Sequence, residues 1–402
     1  MEKLKHKEHD FSSKLRQTSV VERLKQYIAW RRTARDGGTV PCYSPISINL
    51  DLTSACNFAC PHCVDSKIIN TGEALATDDI KQTIDCLQTH GLLSIILLGG
   101  GEPTLHKDFG EIVKHIKKRG LQLGIATNGS RLSQVADVIG ELGHEDWVRL
   151  SLDAGCQDTF VKAHRPRTGI TLHEILKSAQ ELKLRNPRFT LGYSFVIVWE
   201  GIRVNGRQLA PNIAEMADAV QLAREHAFDY VSFKPCLLRL EESEKESLFA
   251  DPDDSQEQRV ITAIKNNLQK ARDTAAGEVK ILESVNLRAL LDYRVHELKK
   301  QPRTCHMQFF NTVVTPTGIF HCPAFRGVGK AKIAPAHGYR DEKIFNETLQ
   351  TLARSLDTFD AEKECNVVAC FYHHVNWWLE RCIASDKQVE SIETVADDNF
   401  FL

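Results

Sequence analysis

The sequence predicts an α/β chain, a parallel sheet that is open or curled into a partial barrel, followed by a smaller hairpin-plus-helix domain. Three observations lead there. Apolar strand-like runs alternate with helical stretches from residue 46 to residue 233, a charged helix-forming segment follows, and the last hundred residues combine a turn signal with a group of five cysteines.

The first run is Ile46 to Leu52, set off from a polar, helix-prone lead-in by Asp36, Gly37, Gly38 and Pro41. Helix Thr77 to His90, strand Ser94 to Leu98, helix Phe109 to Arg119, strand Leu121 to Ala126 and helix Leu132 to Leu142 come next. Strand Val148 to Leu152, helix Leu172 to Arg185, strand Phe189 to Val198, helix Ile213 to His226 and strand Tyr230 to Phe233 complete the alternation. Strands joined through helices pair in parallel, because a parallel connection has to cross the sheet. From Glu241 to Lys300, stretches such as EESEKES and DPDDSQEQRV read as a helical bridge. A hairpin from Phe309 to His321 turns at Thr315, Pro316, Thr317 and Gly318, and an aromatic helix spans Tyr372 to Arg381. The expected units are a lead-in over 1–44, a core over 45–236, the bridge over 237–300 and a C-terminal domain over 301–402.

With 402 residues, 42% of them hydrophobic and 26% charged, the chain can bury two cores. A net charge of -2 leaves no global field for nucleic acid. The basic group Arg23, Lys25, Arg31, Arg32 and Arg35 reads as the solvated face of a helix. No run approaches the roughly 18 to 20 apolar residues of a membrane span, and the charged start MEKLKHKEHD has no apolar stretch behind it, so a soluble, cytoplasmic protein is expected.

Twelve cysteines are unevenly placed. Cys42, Cys86, Cys156 and Cys236 are isolated and read as buried small hydrophobes. Cys56, Cys60 and Cys63 stand in one loop directly after the first strand. Three thiolates on an iron-sulfur cluster that takes one cysteine per iron leave one iron open to another ligand. A zinc ion would have to borrow His62, which adjoins Cys63 and points elsewhere unless the loop bends sharply.

This spacing after a first strand resembles the signature of the radical SAM superfamily. The resemblance implies a partial (βα)6 radical SAM barrel, a 4Fe-4S cluster, S-adenosylmethionine as cofactor and an electron donor such as flavodoxin or ferredoxin. A second motif agrees: Gly99, Gly100, Gly101, Glu102 and Pro103 follow the second strand like the family's turn for the methionyl ammonium. Glycines let the backbone approach a ligand, and a carboxylate suits an ammonium. Thr127, Asn128 and Gly129 end the third strand, and Ser151, Leu152 and Asp153 the fourth, on the face where barrel ligands bind. The resemblance gives Ser151 and Asp153 to the ribose and methionyl carboxylate, while Asn128 fits that face or a plain turn. Arg165 and Arg167 resemble an arginine near the methionyl carboxylate, and a surface role fits them equally. His62 stands where the family commonly has an aromatic residue near adenine, and for the fifth strand's adenine contact Gly192 and Val196 to Val198 are the candidates.

Cys305 before the hairpin and Cys322 after it resemble the start of the SPASM and Twitch extensions, which hold auxiliary iron-sulfur clusters. Here three residues rather than four separate Gly318 from Cys322, and the full seven-cysteine pattern is absent. Twelve residues of helix separate Cys370 from Cys382, roughly 18 Å at about 1.5 Å per residue, too far for one cluster. The expected ligands of a second 4Fe-4S cluster are therefore Cys305, Cys322, Cys365 and Cys370, with Cys382 in reserve and a four-thiolate zinc site as the alternative. Such relatives act on ribosomal peptides or on sugar-like and nucleoside-like molecules. The short lead-in, too small for a leader-binding winged-helix domain, tilts the expectation toward a small molecule. A peptide substrate and a non-catalytic redox sensor are the rival readings.

Overall fold

A computed structural model describes residues 10–33, 38–204, 206–239, 246–248, 254–386, 389 and 391–398. The readings made on Met1 to His9, Arg35, Asp36, Gly37, Glu241 to Lys245 and residues 251–253 lie outside those described.

The core is a ten-stranded sheet. Its strands are β1 (Ser47–Leu50), β2 (Ser94–Leu97), β3 (Gln122–Thr127), β4 (Trp147–Ser151), β5 (Thr190–Ile197), β6 (Tyr230–Pro235), β7 (Lys280–Glu283), β8 (Asn311–Thr315), β9 (Gly318–Phe320) and β10 (Lys332–Ala334). They run in the order β7-β6-β5-β4-β3-β2-β1-β8-β9-β10. The pairs from β7 to β8 are parallel and the last two antiparallel. Strands β1 to β6 are the six expected, in their expected order. All four residues of β2, Ser-Ile-Ile-Leu, are buried, as a parallel sheet covered on both faces requires.

Three helices cross between strands where the sequence places them: α1 (Thr77–Thr89), α2 (Phe109–Lys118) and α3 (Leu172–Arg185). Helix α3 opens with a reciprocal capping box between Thr171 and Glu174. Two expected helices are shorter. Leu132–Ala136 is helical and the chain then tightens to a 3-10 turn at Ile139–Glu141, while Ile213–Glu215 is 3-10 before helix Met216–Glu225. Helix Gln157–His164, before α3, was not anticipated; Cys156 lends it no side-chain cap.

Both edges of the sheet depart from the expectation. The segment read as a wholly helical bridge does hold the helix Asp254–Ala275, but it also supplies β7, whose Lys280 and Glu283 mask a strand that pairs Ile281 with Val231. At the other edge the hairpin β8–β9 forms as predicted, and β8 pairs in parallel with β1, matching Ser47 to Asn311 and Leu50 to Val314. The C-terminal region thus continues the core sheet. The lead-in helix Val21–Thr33 buries Leu24, Tyr27, Ile28 and Trp30, with Tyr27 and Trp30 packed on Phe309 at 5.0 and 5.3 Å between ring centroids. Its basic residues are not a solvated face. Arg23 bonds the Gly91 carbonyl, Arg31 pairs with Asp357 at 2.8 Å, and Arg32 donates to the Ile383 carbonyl at 2.9 Å; Lys25 alone is exposed. Among the described residues no helix is long and apolar enough to cross a membrane.

Candidate active site and a second cysteine cavity

The carboxyl ends of β1 to β6 surround one cavity of about 370 Å³. Cys56, Cys60 and Cys63 line it together with Gly99, Gly100, Gly101, Glu102, Asn128, Ser151 and Asp153. The cysteine loop is held from several sides. Cys56 N–H donates to Asn70 Oδ1 at 2.8 Å, Glu102 N–H to the Ala55 carbonyl at 2.8 Å, and Asn128 Nδ2 to Asn57 Oδ1 at 2.9 Å. Phe58, fully buried, anchors the loop against Phe160. Burial pushes all three thiols up, Cys63 to about 12, with Asp65 adding to that shift.

The glycine turn is shaped by close approach. A side chain at Gly101 would fall 2.4 Å from the Thr53 carbonyl and 2.5 Å from that of Ala55, so the turn lies directly on the cysteine loop. Gly100 has a left-handed φ of +69° and leaves room for Asp51. Glu102 is 3% exposed, and its carboxylate ties the turn to β3. Oε1 accepts from the Thr104 and Thr127 hydroxyls, both at 2.6 Å, and Oε2 accepts from Asn128 N–H at 2.8 Å. Burial still raises its pKa. Pro103 starts the following 3-10 turn and does not line the cavity.

Asp153, at the end of β4, takes a left-handed φ of 52°, uncommon outside glycine. Its Oδ1 accepts from Val196 N–H at 2.7 Å and its Oδ2 faces His62 Nε2 at 3.2 Å and His164 Nε2 at 3.4 Å. Burial alone would raise its pKa; these partners outweigh that and hold it below the usual carboxylate range. His164 also brings Nδ1 to 3.2 Å from Cys60 Sγ. Arg165 and Arg167 do not line the cavity and are exposed. Arg165 caps a helix in the left-handed conformation, and Arg167 serves the loop through its N–H to the Asn57 carbonyl at 3.1 Å. Of the fifth-strand candidates Val196 reaches the cavity, whereas Gly192 makes room for the Tyr230 ring.

Sequence reasoning missed His164, Ser194, Lys234 and the carboxylates beneath the turn. Asp51 and Asp65 flank the buried guanidinium of Arg326, each at 2.9 Å, and Asp65 also accepts from Gly100 N–H at 3.3 Å. Burial pushes Asp51 up to about 7 against the pull of Arg326. An aspartate closing the apolar run of β1 was the available signal. Arg326 comes from the C-terminal region, four residues after Cys322, so no local pattern points to it.

A second, enclosed cavity of about 30 Å³ is lined by Cys305, Cys322, Cys365 and Cys370, among mostly apolar neighbours. Cys382 is fully buried elsewhere, in helix His373–Ala384. Cys305 Sγ accepts from Asn376 Nδ2 at 3.5 Å and from the N–H groups of Gln308 and Met307, which oppose the upward push of burial on its thiol. Burial, then the neighbouring Cys305 and Cys322, drive Cys370 well above the usual thiol range. Among the described residues no group of three Cys, His, Asp or Glu side chains is gathered to hold a single metal ion. Of the isolated cysteines read as buried, Cys236 is buried and also lines the first cavity, whereas Cys42 and Cys156 are exposed and Cys86 is half-buried.

A parallel α/β sheet whose strand ends gather cysteines, glycines and carboxylates at one cavity places that cavity at the carboxyl edge of the sheet, where such sheets bind ligands. Residues 50–200 match the radical SAM superfamily. It is 41% identical over 83 residues to an S-adenosylmethionine-dependent nucleotide dehydratase of Selenomonas ruminantium, covering 21% of this chain and 30% of that protein. It is 31% identical over 149 residues to the PqqA peptide cyclase of Bradyrhizobium diazoefficiens, covering 35% of this chain and 37% of that one. The matched region thus spans about a third of each of these two relatives. The fold is that of Streptococcus suis SuiB, with a TM-score of 0.57 at 13% identity over 87% of this chain and 76% of SuiB.

Proposed function

We propose that the chain cleaves S-adenosylmethionine reductively in the larger cavity and that the resulting 5'-deoxyadenosyl radical takes a hydrogen atom from a peptide substrate. The observation that carries this reading is the one cavity bounded by Cys56, Cys60 and Cys63, the Gly99–Glu102 turn and the polar ends of β3 and β4. Cys56, Cys60 and Cys63 would hold a 4Fe-4S cluster, which would supply the electron for the cleavage. The donor set fits that group: three thiols line one wall, and metal cations reverse the upward push that burial puts on them. Glu102 keeps acceptor capacity at Oε2 for the methionyl ammonium, while Thr104 and Thr127 hold Oε1 in place. Ser151 and Asp153 serve the ribose and methionyl carboxylate side, with His62 and His164 fixing Asp153. Asn128 closes the wall between turn and loop.

The same reading gives a second 4Fe-4S cluster to Cys305, Cys322, Cys365 and Cys370, supported by their common enclosed cavity and by the N–H groups turned toward Cys305. A peptide substrate is supported by the PqqA peptide cyclase and by SuiB, which has been crystallised with its precursor peptide SuiA. The nucleotide dehydratase favours a second reading, a nucleotide-like small molecule. The test is anaerobic incubation of reconstituted protein with dithionite and S-adenosylmethionine. Formation of 5'-deoxyadenosine and methionine is expected, and protein with its full iron content that forms neither sinks the enzyme reading in favour of a redox sensor. Adding peptides or nucleotides deuterated at the attacked carbon, and following deuterium into 5'-deoxyadenosine, separates the two substrate classes.

A further inference from the structure

The C-terminal cavity contains a histidine that no role assigned so far uses. His321 is 2% exposed, and neither of its ring nitrogens has a hydrogen-bond partner. It lines the same cavity as the four cysteines, and one side of the ring is taken by Phe359, edge-on with centroids 4.5 Å apart. Two further buried polar atoms without partners, Asn286 Oδ1 and Gln301 Oε1, belong to residues on the same wall. The rest of the lining is largely apolar. Buried polar groups are rarely left unmet, so three around one cavity call for a polar occupant.

An imidazole carries at least one N–H in either protonation state and so can always donate one hydrogen bond. Four cysteines already give a four-iron cluster one sulfur per iron, which leaves no iron for the imidazole. Sulfur here already accepts from a neighbouring amide, Asn376 Nδ2 donating to Cys305 Sγ at 3.5 Å. We propose that His321 donates its N–H to a sulfur of the C-terminal cluster and raises that cluster's reduction potential without ligating iron. An N–H on sulfur favours the more electron-rich state, the general way in which outer groups tune such centres. This inference rests on the assignment of Cys305, Cys322, Cys365 and Cys370 to a cluster.

The test uses the full chain in which Cys56, Cys60 and Cys63 are all replaced by alanine, so that only the C-terminal cluster reports. Iron per chain and the midpoint potential, from a reductive titration followed by electron paramagnetic resonance, are compared for His321, His321→Phe and His321→Asn. Phenylalanine keeps the packing on Phe359 and removes the N–H; asparagine keeps a donor. The expected result is unchanged iron in all three, with the oxidised-to-reduced ratio at fixed potential moved about tenfold toward oxidised by phenylalanine, about 59 mV for one electron. Asparagine should restore part of the shift. Unchanged iron with an unchanged potential overturns the proposal, and iron lost from both variants overturns it by making His321 a ligand. A parent protein that binds no iron refutes the cluster assignment itself, an outcome distinct from either.

Discussion

The two cysteine cavities differ in what surrounds the sulfur. Around Cys56, Cys60 and Cys63 stand a glycine turn, three carboxylates and two histidines, in a cavity of about 370 Å³. Around Cys305, Cys322, Cys365 and Cys370 stand mostly phenylalanines, alanines and a valine, with His321, Asn286 and Gln301 among them, in a much smaller and more enclosed space. On the proposed reading the first site has three sulfurs for four irons among many polar groups, and the second has four sulfurs in a smaller, mostly apolar space. A site that must admit a reactant keeps a ligand position and solvent-facing polarity. One that only stores or relays electrons excludes both, because low polarity and full ligation protect the centre.

The sharpest way to break this contrast is to remove the sulfurs separately. Replacing Cys56, Cys60 and Cys63 with alanine should lower 5'-deoxyadenosine formation at least about a thousandfold. It should also take reconstituted iron from about eight per chain to about four. An iron count of four with one zinc in the unaltered protein would make the C-terminal site a zinc site instead. Glu102→Ala should weaken S-adenosylmethionine binding about ten- to a hundredfold, the loss of a charge-assisted contact worth roughly 1.5–3 kcal/mol, with iron content unchanged. Because Glu102 also satisfies Asn128 N–H, Glu102→Gln is the cleaner comparison, and binding in that variant equal to wild type would remove the carboxylate from recognition. Cys322→Ala should cost about four irons and reduce substrate turnover about tenfold while sparing uncoupled cleavage. Equal losses in both would mean that the second site supports the first rather than the substrate.

The smallest effect concerns the seam between the sites, where Arg326 reaches from the C-terminal region to Asp51 and Asp65. Asp51 is pushed up to about 7 by burial, so between its unfolded value near 3.9 and that pKa the folded chain binds the extra proton. Stability therefore falls as pH rises through this window and levels off above it. Denaturant unfolding of the metal-free chain between pH 5 and 8 should show wild type losing on the order of 2 kcal/mol relative to Asp51→Asn. Parallel curves would mean that Arg326 fully neutralises the carboxylate.

Much of the core was legible because its signals are local. The strands β1 to β6 declare themselves as short apolar runs, the cysteine loop by spacing, and Gly101 by the tightness of the turn it allows. Edge strands are less legible: β7 carries Lys280 and Glu283, and β10 has three residues, so neither shows the pattern of a buried strand. The choice of Cys365 and Cys370 over Cys382 followed from helical rise, which is also a local quantity. What tertiary structure alone decided is which distant side chains share a wall. His164 beside Cys60, Arg326 between Asp51 and Asp65, and His321 among the four cysteines are brought together across 104, 275, 261 and fewer residues of chain. The sequence by itself determined the kind of chemistry, because ligand spacing and strand-end polarity are set within a few residues. Burial decided the rest, since a histidine or arginine takes its role from the desolvated partners it meets only after the sheet has closed around it.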